Sequence, residues 1–289
     1  MKRVQFEHGE YQAVCDFLVA LNRCGTAHLN WNWARWEWMY AHPYCVRELL
    51  NTIGLWKVGD AVVGAAIFDL YHGEAFCAAL PGYETSLPEI YAYAYDRLRD
   101  ENGLGIAVAE SDDMGRAMLC AMGYQKGEQT EVLSVLKLDG KLAYTLPDGL
   151  SIRPICFPED AMAYYTVIWK GFDHESDRSE LQSMLQNQAP LPPHMLPALC
   201  LGVEAGEGEF VAHCTCWYDP RTDYAYIEPV CTVPAYRGRG LAKAVLCEAL
   251  NRCAAMGAQR GMVLSDQMFY QKLGFTPLET YTFYWKREL

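Results

Sequence analysis

The sequence predicts a mixed α/β protein built from two similar halves, each a mixed, mostly antiparallel sheet with helices on both faces. Three observations lead there. Residues 150–286 alternate strand-like and helical patterns in the order β-α-(α)-β-β-β-α-β-α-β. Residues 10–124 repeat that order weakly. A turn-rich stretch, Asp139-Gly140-Lys141 to Leu146-Pro147-Asp148-Gly149, lies between them. A strand, a crossover helix and a further strand make a parallel pair, whereas hairpins are antiparallel, so a mixed sheet with layered helices follows.

In the first half a helix is expected over 10–22. A hairpin follows at 53–58 and 61–70, turning at Gly59-Asp60. A strand at 74–80 leads into Pro81-Gly82-Tyr83, then a helix at 87–99 and a strand at 105–109. In the second half Leu150-Ser151-Ile152-Arg153-Pro154-Ile155 alternates as a strand does. Pro158-Glu159-Asp160 opens a helix that runs to about Gly171. Residues 173–197 are polar and proline-studded and read as a connection with one short helix. Strands follow at 199–204, 209–218 and 224–233. The helix at 241–256 puts Ala242, Leu246, Ala249, Leu250 and Cys253 on one face, with Gly257 as its cap. A strand at 260–265, a short helix at 267–273 and a strand-like tail at 280–286 complete the chain. The domains are therefore 1–140 and 141–289.

A chain of 289 residues with a net charge of -12 can bury a core but lacks the clustered Lys and Arg that phosphate-backbone binding needs. No nucleic-acid partner is expected. An acidic surface suits a cationic partner such as an amine. No apolar run is long enough for a membrane span, and Met1–Glu7 lacks the apolar stretch of a signal peptide. The twelve cysteines form no Cys-x-x-Cys pair and read as a reduced core, with no metal site, in a cytoplasmic protein. Cys214 and Cys216 share one face of their strand. A monomer or a homodimer is compatible with all of this.

The residues that promise chemistry lie at 230–242. A strand ends in a turn with two glycines, and a helix begins at once. Glycine lets backbone approach a ligand closely, and a helix N-terminus offers unpaired N–H groups. Arg237 and Arg239 add positive charge. The combination suits a pyrophosphate; the plainer alternative is a turn with solvated arginines.

Thr232-Val233-Pro234-Ala235-Tyr236-Arg237-Gly238-Arg239-Gly240-Leu241-Ala242 resembles the acetyl-CoA loop of the GNAT superfamily of N-acetyltransferases, Arg/Gln-x-x-Gly-x-Gly/Ala. Arg237, Gly240 and Ala242 satisfy it in one register. With Gly238 and Gly240 as the two glycines, Ala235 departs from the first position. Tyr270-Gln271-Lys272-Leu273-Gly274-Phe275 is similar to the family's closing Tyr-x-Lys-x-Gly-Phe. The resemblance covers the second half in element order and the first half only in architecture, which implies tandem GNAT-like domains.

The resemblance implies direct attack of a primary amine, on a small molecule or a peptide, upon the thioester of acetyl-CoA. Such a reaction needs a base, an oxyanion donor and an acid for the leaving thiolate. Tyr270 matches the family's acid, or is a buried aromatic beside Phe269 and Phe275. Glu228 lies where a base is often found, or is a structural carboxylate. Pro229 cannot donate to a ladder and implies a bulge, which makes the Val230 amide the nearest oxyanion donor. Val230 and Thr232 are expected to pair with the pantetheine arm, and Arg237, Gly238, Arg239, Gly240, Leu241 and Ala242 to form the phosphate cradle.

Asp173, His174, Glu175 and Asp177 fall where the family covers its acceptor; the competing reading is a solvated loop. His194 and His213 are further candidate bases. Trp31, Trp33, Trp36 and Trp38 could stack on a planar substrate or on Arg35, or form a packed interdomain surface with some polar tips. In the first half Glu84, Thr85 and Leu87 replace Arg237, Gly238 and Gly240. Leu87 lacks glycine's freedom and Glu84 repels phosphate, so the first half is expected not to bind the coenzyme. A coenzyme-binding sensor without turnover is the alternative to an enzyme.

Overall fold

The computed structural model describes residues 1–175, 181–182, 192–206 and 208–287. Its strands are β1 (Lys2–Gln5), β2 (Gly54–Val58), β3 (Ala61–Asp69), β4 (Tyr71–Ala79), β5 (Leu104–Ala109), β6 (Gln125–Lys137), β7 (Leu150–Pro154), β8 (Cys200–Ala205), β9 (Phe210–Tyr218), β10 (Tyr224–Thr232), β11 (Arg260–Leu264) and β12 (Thr276–Lys286). Its helices are α1 (Tyr11–Leu21), α2 (Trp33–Ala41), α3 (Leu87–Leu98), α4 (Asp113–Ala121), α5 (Ala161–Gly171), α6 (Leu241–Ala255) and α7 (Met268–Lys272).

Packing divides the chain into two compact units. The first comprises Met1–Ser134, Leu264–Tyr270 and Thr276–Leu289. Its strands run β1-β2-β3-β4-β5-β12-β6, with β6 belonging to it as far as Ser134. The β2–β3 hairpin turns at Gly59, φ 59°, as the sequence suggests. β4 and β5 are parallel, joined across α3. Strand alternation sends Ala65 and Ile67 of β3 toward α1, while Gly64 faces Ile90 of α3, so helices cover both faces.

The sequence places the final strand at the end of the second half. The C-terminal half of that strand instead pairs antiparallel with β5, from Tyr281↔Ala109 to Lys286↔Leu104. Phe283 on this strand is fully buried.

The tryptophan-rich stretch is α2 and the turn before it. Asn32 caps the helix, its side-chain oxygen accepting from the N–H groups of Ala34 and Arg35. Trp31, Trp33 and Trp36 are buried, and Trp31 stacks on Phe76 at 4.2 Å. Arg35 pairs with Asp69 at 3.0 Å and Glu131 at 2.8 Å beneath those rings. The stretch is thus interior packing of this unit.

The second unit comprises Val135–Val263 and Gln271–Phe275. Its strands run β11-β10-β9-β8-β7, antiparallel except for the β10–β11 pair, which is parallel across α6. Alternation again sets the layers. Cys214 and Cys216 of β9 lie on the α6 side, Cys216 against Cys253. His213 lies on the other side, its ring 5.2 Å from Tyr164 of α5. All twelve cysteines are free; Cys24, Cys120 and Cys156 are exposed and the rest buried. Gly257, φ 115°, ends α6 as expected. Among the described residues no helix is long and apolar enough to cross a membrane.

Because β12 completes the sheet of the first unit, Phe283→Ala should destabilise that unit by about 3–5 kcal/mol through the cavity it leaves. Amide exchange under mild urea should show β5 losing protection well before β9. Equal loss in both strands would contradict the assignment.

Candidate active site

The candidate site is built where β10 parts from its neighbours. The register with β11 covers Tyr224↔Arg260, Ala225↔Gly261 and Tyr226↔Met262. On the other edge the pairing with β9 slips: Ile227 faces Cys216, but Val230 faces Cys214. One extra residue on β10 is a β-bulge, where the sequence placed it at Pro229. The Trp217 indole N–H anchors the bulge by donating to the Glu228 carbonyl at 2.7 Å. The Glu228 side chain is partly buried there.

Beyond the bulge the Val233 N–H donates to Val211 of β9. Strand amides alternate in direction, so Cys231 also points at β9, while Val230 and Thr232 present their N–H groups on the opposite edge. That is the edge from which the β11 register has ended.

The chain then passes a short 3-10 turn, Pro234–Tyr236, into the two glycines. Gly238 has φ 77° and Gly240 φ 79°, and nothing lies within 4 Å of where either Cβ would stand. A residue with a Cβ would pay roughly 1–2 kcal/mol for each such conformation. Gly240 is the N-cap of α6 and offers no side-chain cap. The first intrahelical bond runs from the Ala244 N–H to the Gly240 carbonyl, so the amides of Leu241, Ala242 and Lys243 have no acceptor within the helix. Leu241 is buried and anchors this first turn, with Ala242 half-buried beside it.

Arg237 departs from expectation. Its guanidinium turns away from the glycines: Nε donates to the Thr232 carbonyl at 3.1 Å, and Nη2 to the Gly171 carbonyl and the Asp173 carboxylate, each at 2.9 Å. Arg239 donates to the Ala235 carbonyl at 3.2 Å and stands 4.8 Å over the Tyr236 ring. Nothing local in the sequence announces the Gly171 and Asp173 partners. His174 and Glu175 follow on the same turn, and Asp177 lies outside the described residues.

His213 is placed for structure. It is fully buried; Nδ1 donates to the Leu201 carbonyl at 2.9 Å and Nε2 accepts from the Thr215 hydroxyl at 3.1 Å. Burial lowers its pKa to about 4, so the ring is neutral at pH 7. His194 is half-buried, in the turn before the 3-10 segment Pro197–Leu199. Tyr270 lies on α7, within the first unit, 9% exposed, with its ring 4.9 Å from that of Phe269.

The corresponding loop of the first unit is built differently. Glu84 folds back so that its carboxylate accepts the Gly82 N–H at 2.9 Å, and its own amide and that of Gly82 hold the acid below its usual range. Ser86 and Leu87 then enter α3 with ordinary right-handed torsions, and Pro88 occupies its first turn.

Residues 161–275 match the acetyltransferase (GNAT) family. This segment is a GNAT acetyltransferase domain. No curated protein sequence matches the chain significantly. Among solved structures, the fold is similar to a tandem GNAT protein from the clavulanic acid biosynthesis pathway, at TM-score 0.63, 15% identity, and 99% and 98% coverage of the two chains. It is also similar to a GCN5-related N-acetyltransferase from Sphaerobacter thermophilus, at TM-score 0.59, 16% identity, and 99% and 95% coverage. A GNAT-family acetyltransferase from Colwellia psychrerythraea gives TM-score 0.59, 17% identity, and 99% and 100% coverage. The expectation of GNAT-like architecture over both halves agrees with these folds, and the acetyltransferase domain makes the chain an acyltransferase.

Because His213 is held neutral, the unfolded chain takes up an extra proton once the pH falls below about 6.5. The acetyltransferase domain should therefore lose stability between pH 6.5 and about 4, by about 1.4 kcal/mol per unit from this group. Urea unfolding of wild type and His213→Gln at pH 7 and 4.5 should show a shallower loss in the variant. Equal slopes would contradict the assignment.

Proposed function

We propose that this protein transfers the acetyl group of acetyl-CoA to a primary amine of a small molecule or peptide, and that the second half alone binds the coenzyme. The carrying observation is the cradle: two left-handed glycines with open space above them, leading into an uncapped helix N-terminus. Such amides and the positive end of the helix dipole suit a pyrophosphate. The edge amides of Val230 and Thr232 suit the amide-bearing pantetheine arm in the manner of an added strand. Gly238, Arg239, Gly240, Leu241 and Ala242 supply backbone to the cradle, and Arg237 shapes it. In the first half the Glu84 carboxylate already takes an amide that a phosphate would need, and adds repulsion.

When bound, the coenzyme supplies an activated acetyl thioester. The protein's own share is proton traffic and charge. The Glu228 carboxylate accepts the proton of the incoming ammonium, directly or through water. The Val230 N–H donates to the carbonyl oxygen as charge develops on it. Tyr270 gives its phenolic proton to the departing thiolate.

Incubation with acetyl-CoA and a broad amine panel, following free thiol, tests this reading. Amine-dependent thiol release is expected; coenzyme binding without release would favour a sensor, and no binding would defeat both. Tyr270→Phe should lower kcat about 10²- to 10⁴-fold, the range for a positioned acid, with acetyl-CoA affinity unchanged. An unchanged kcat would remove Tyr270 from the chemistry.

A further inference from the structure

We propose that Asp173 is a positioning residue for the coenzyme cradle, acting through Arg237. This rests on the reading that the cradle takes acetyl-CoA, and it gives both residues work that the motif does not suggest.

Arg237 immediately precedes Gly238, so whatever fixes Arg237 fixes where the flexible glycine turn begins. Its guanidinium gathers acceptors far apart in sequence: Thr232, the last residue of β10, and Gly171 and Asp173 at the end of α5. A cation suits that end of a helix, where carbonyls lack intrahelical partners. The approach of α5 depends on Gly171, because a Cβ there would stand 2.7 Å from Cβ and Sγ of Cys231. Asp173 then takes φ 62°, a conformation uncommon for a residue with a side chain, while its amide bonds the Lys170 carbonyl at 3.1 Å. The result is a brace in which strand end, helix end and cradle share one guanidinium.

Asp173 supplies the one carboxylate among the three acceptors; the other two are backbone carbonyls. Gly238 and Gly240 have no side chains to order them, and nothing lies within 4 Å of where either Cβ would stand. The brace therefore carries the ordering of the turn that the glycines cannot supply. Asp173 and Arg237 are 62% and 45% exposed, so the pair is screened by water and its contribution is moderate.

The rival role for Asp173 is direct attraction of the acceptor amine. The two roles separate in a double-mutant cycle of Asp173→Asn and Arg237→Met, read by calorimetric titration with coenzyme A. Asp173→Asn should weaken binding roughly two- to five-fold, as loss of an exposed pair does. It should add little once Arg237 is Met, and Asp173→Glu should restore most of the loss. In turnover, KM for acetyl-CoA should rise while KM for the acceptor and kcat stay. Amide exchange across residues 236–242 should quicken in Asp173→Asn even without ligand. Should Arg237→Met fail to fold, Arg237→Lys, which cannot reach all three acceptors with a planar fork, takes its place. Unchanged exchange and unchanged binding in Asp173→Asn would overturn the proposal. So would an undiminished effect in the Arg237 variant, or a rise confined to the acceptor KM. A wild-type protein that does not bind coenzyme A would defeat the functional reading, and the exchange measurement would still decide the brace.

Discussion

The site depends on one break in strand pairing. β10 runs parallel to β11 only through Tyr226 and then continues without that register. Everything notable nearby accommodates the break. A bulge at Glu228 and Pro229 shifts the pairing with β9, and the Trp217 indole holds it in place. The amides of Val230 and Thr232 are left on the open edge, where a sheet would otherwise satisfy them. Unpaired strand edges are a liability for most proteins; here the exposed stretch is short and ends at once in a glycine turn and a helix start. The same few residues thus offer an extended backbone edge followed by a nest of helix amides, matching a ligand that is amide-bearing at one end and doubly phosphorylated further on.

The two halves show how little separates a cradle from an ordinary turn. Both contain a parallel strand pair joined by a helix, β4-α3-β5 and β10-α6-β11. In one, two left-handed glycines, Gly238 and Gly240, carry the turn into the helix. In the other, Gly82 is left-handed and the helix likewise has no side-chain cap, but a glutamate bonds back to the turn, Leu87 enters the helix with right-handed torsions and a proline stiffens the helix start. Neither arrangement disturbs the sheet. The first half keeps a full hydrophobic interior, with its last strand, β12, drawn from the far end of the chain.

Much of this was legible in the sequence, because much of it is local. The strands at 200–232, helix α6 and its glycine cap follow from periodicity and turn residues, and the bulge follows from the missing amide of Pro229. Helix α2 escaped periodicity because it is buried on most sides: Trp33, Ala34, Trp36, Glu37 and Met39 leave no polar stripe to read. Its local signal was Asn32, a capping residue. Strand β6 escaped for the opposite reason, since only Leu133 and Ser134 of its thirteen residues are buried. The destination of β12 and the distant partners of Arg237, Gly171 and Asp173, could not be read at all. The partner of β12 and two of the three Arg237 acceptors, Gly171 and Asp173, lie more than sixty positions away, and neither leaves a mark on the neighbouring sequence.

The central claim is that one half carries the cradle and the other does not. Calorimetric titration of the full chain with coenzyme A measures it most directly, through the number of sites. The account predicts one coenzyme per chain, abolished by Gly240→Val, which places a branched side chain at φ 79° at the helix start. Two coenzymes per chain, or a single site that survives Gly240→Val, would contradict it.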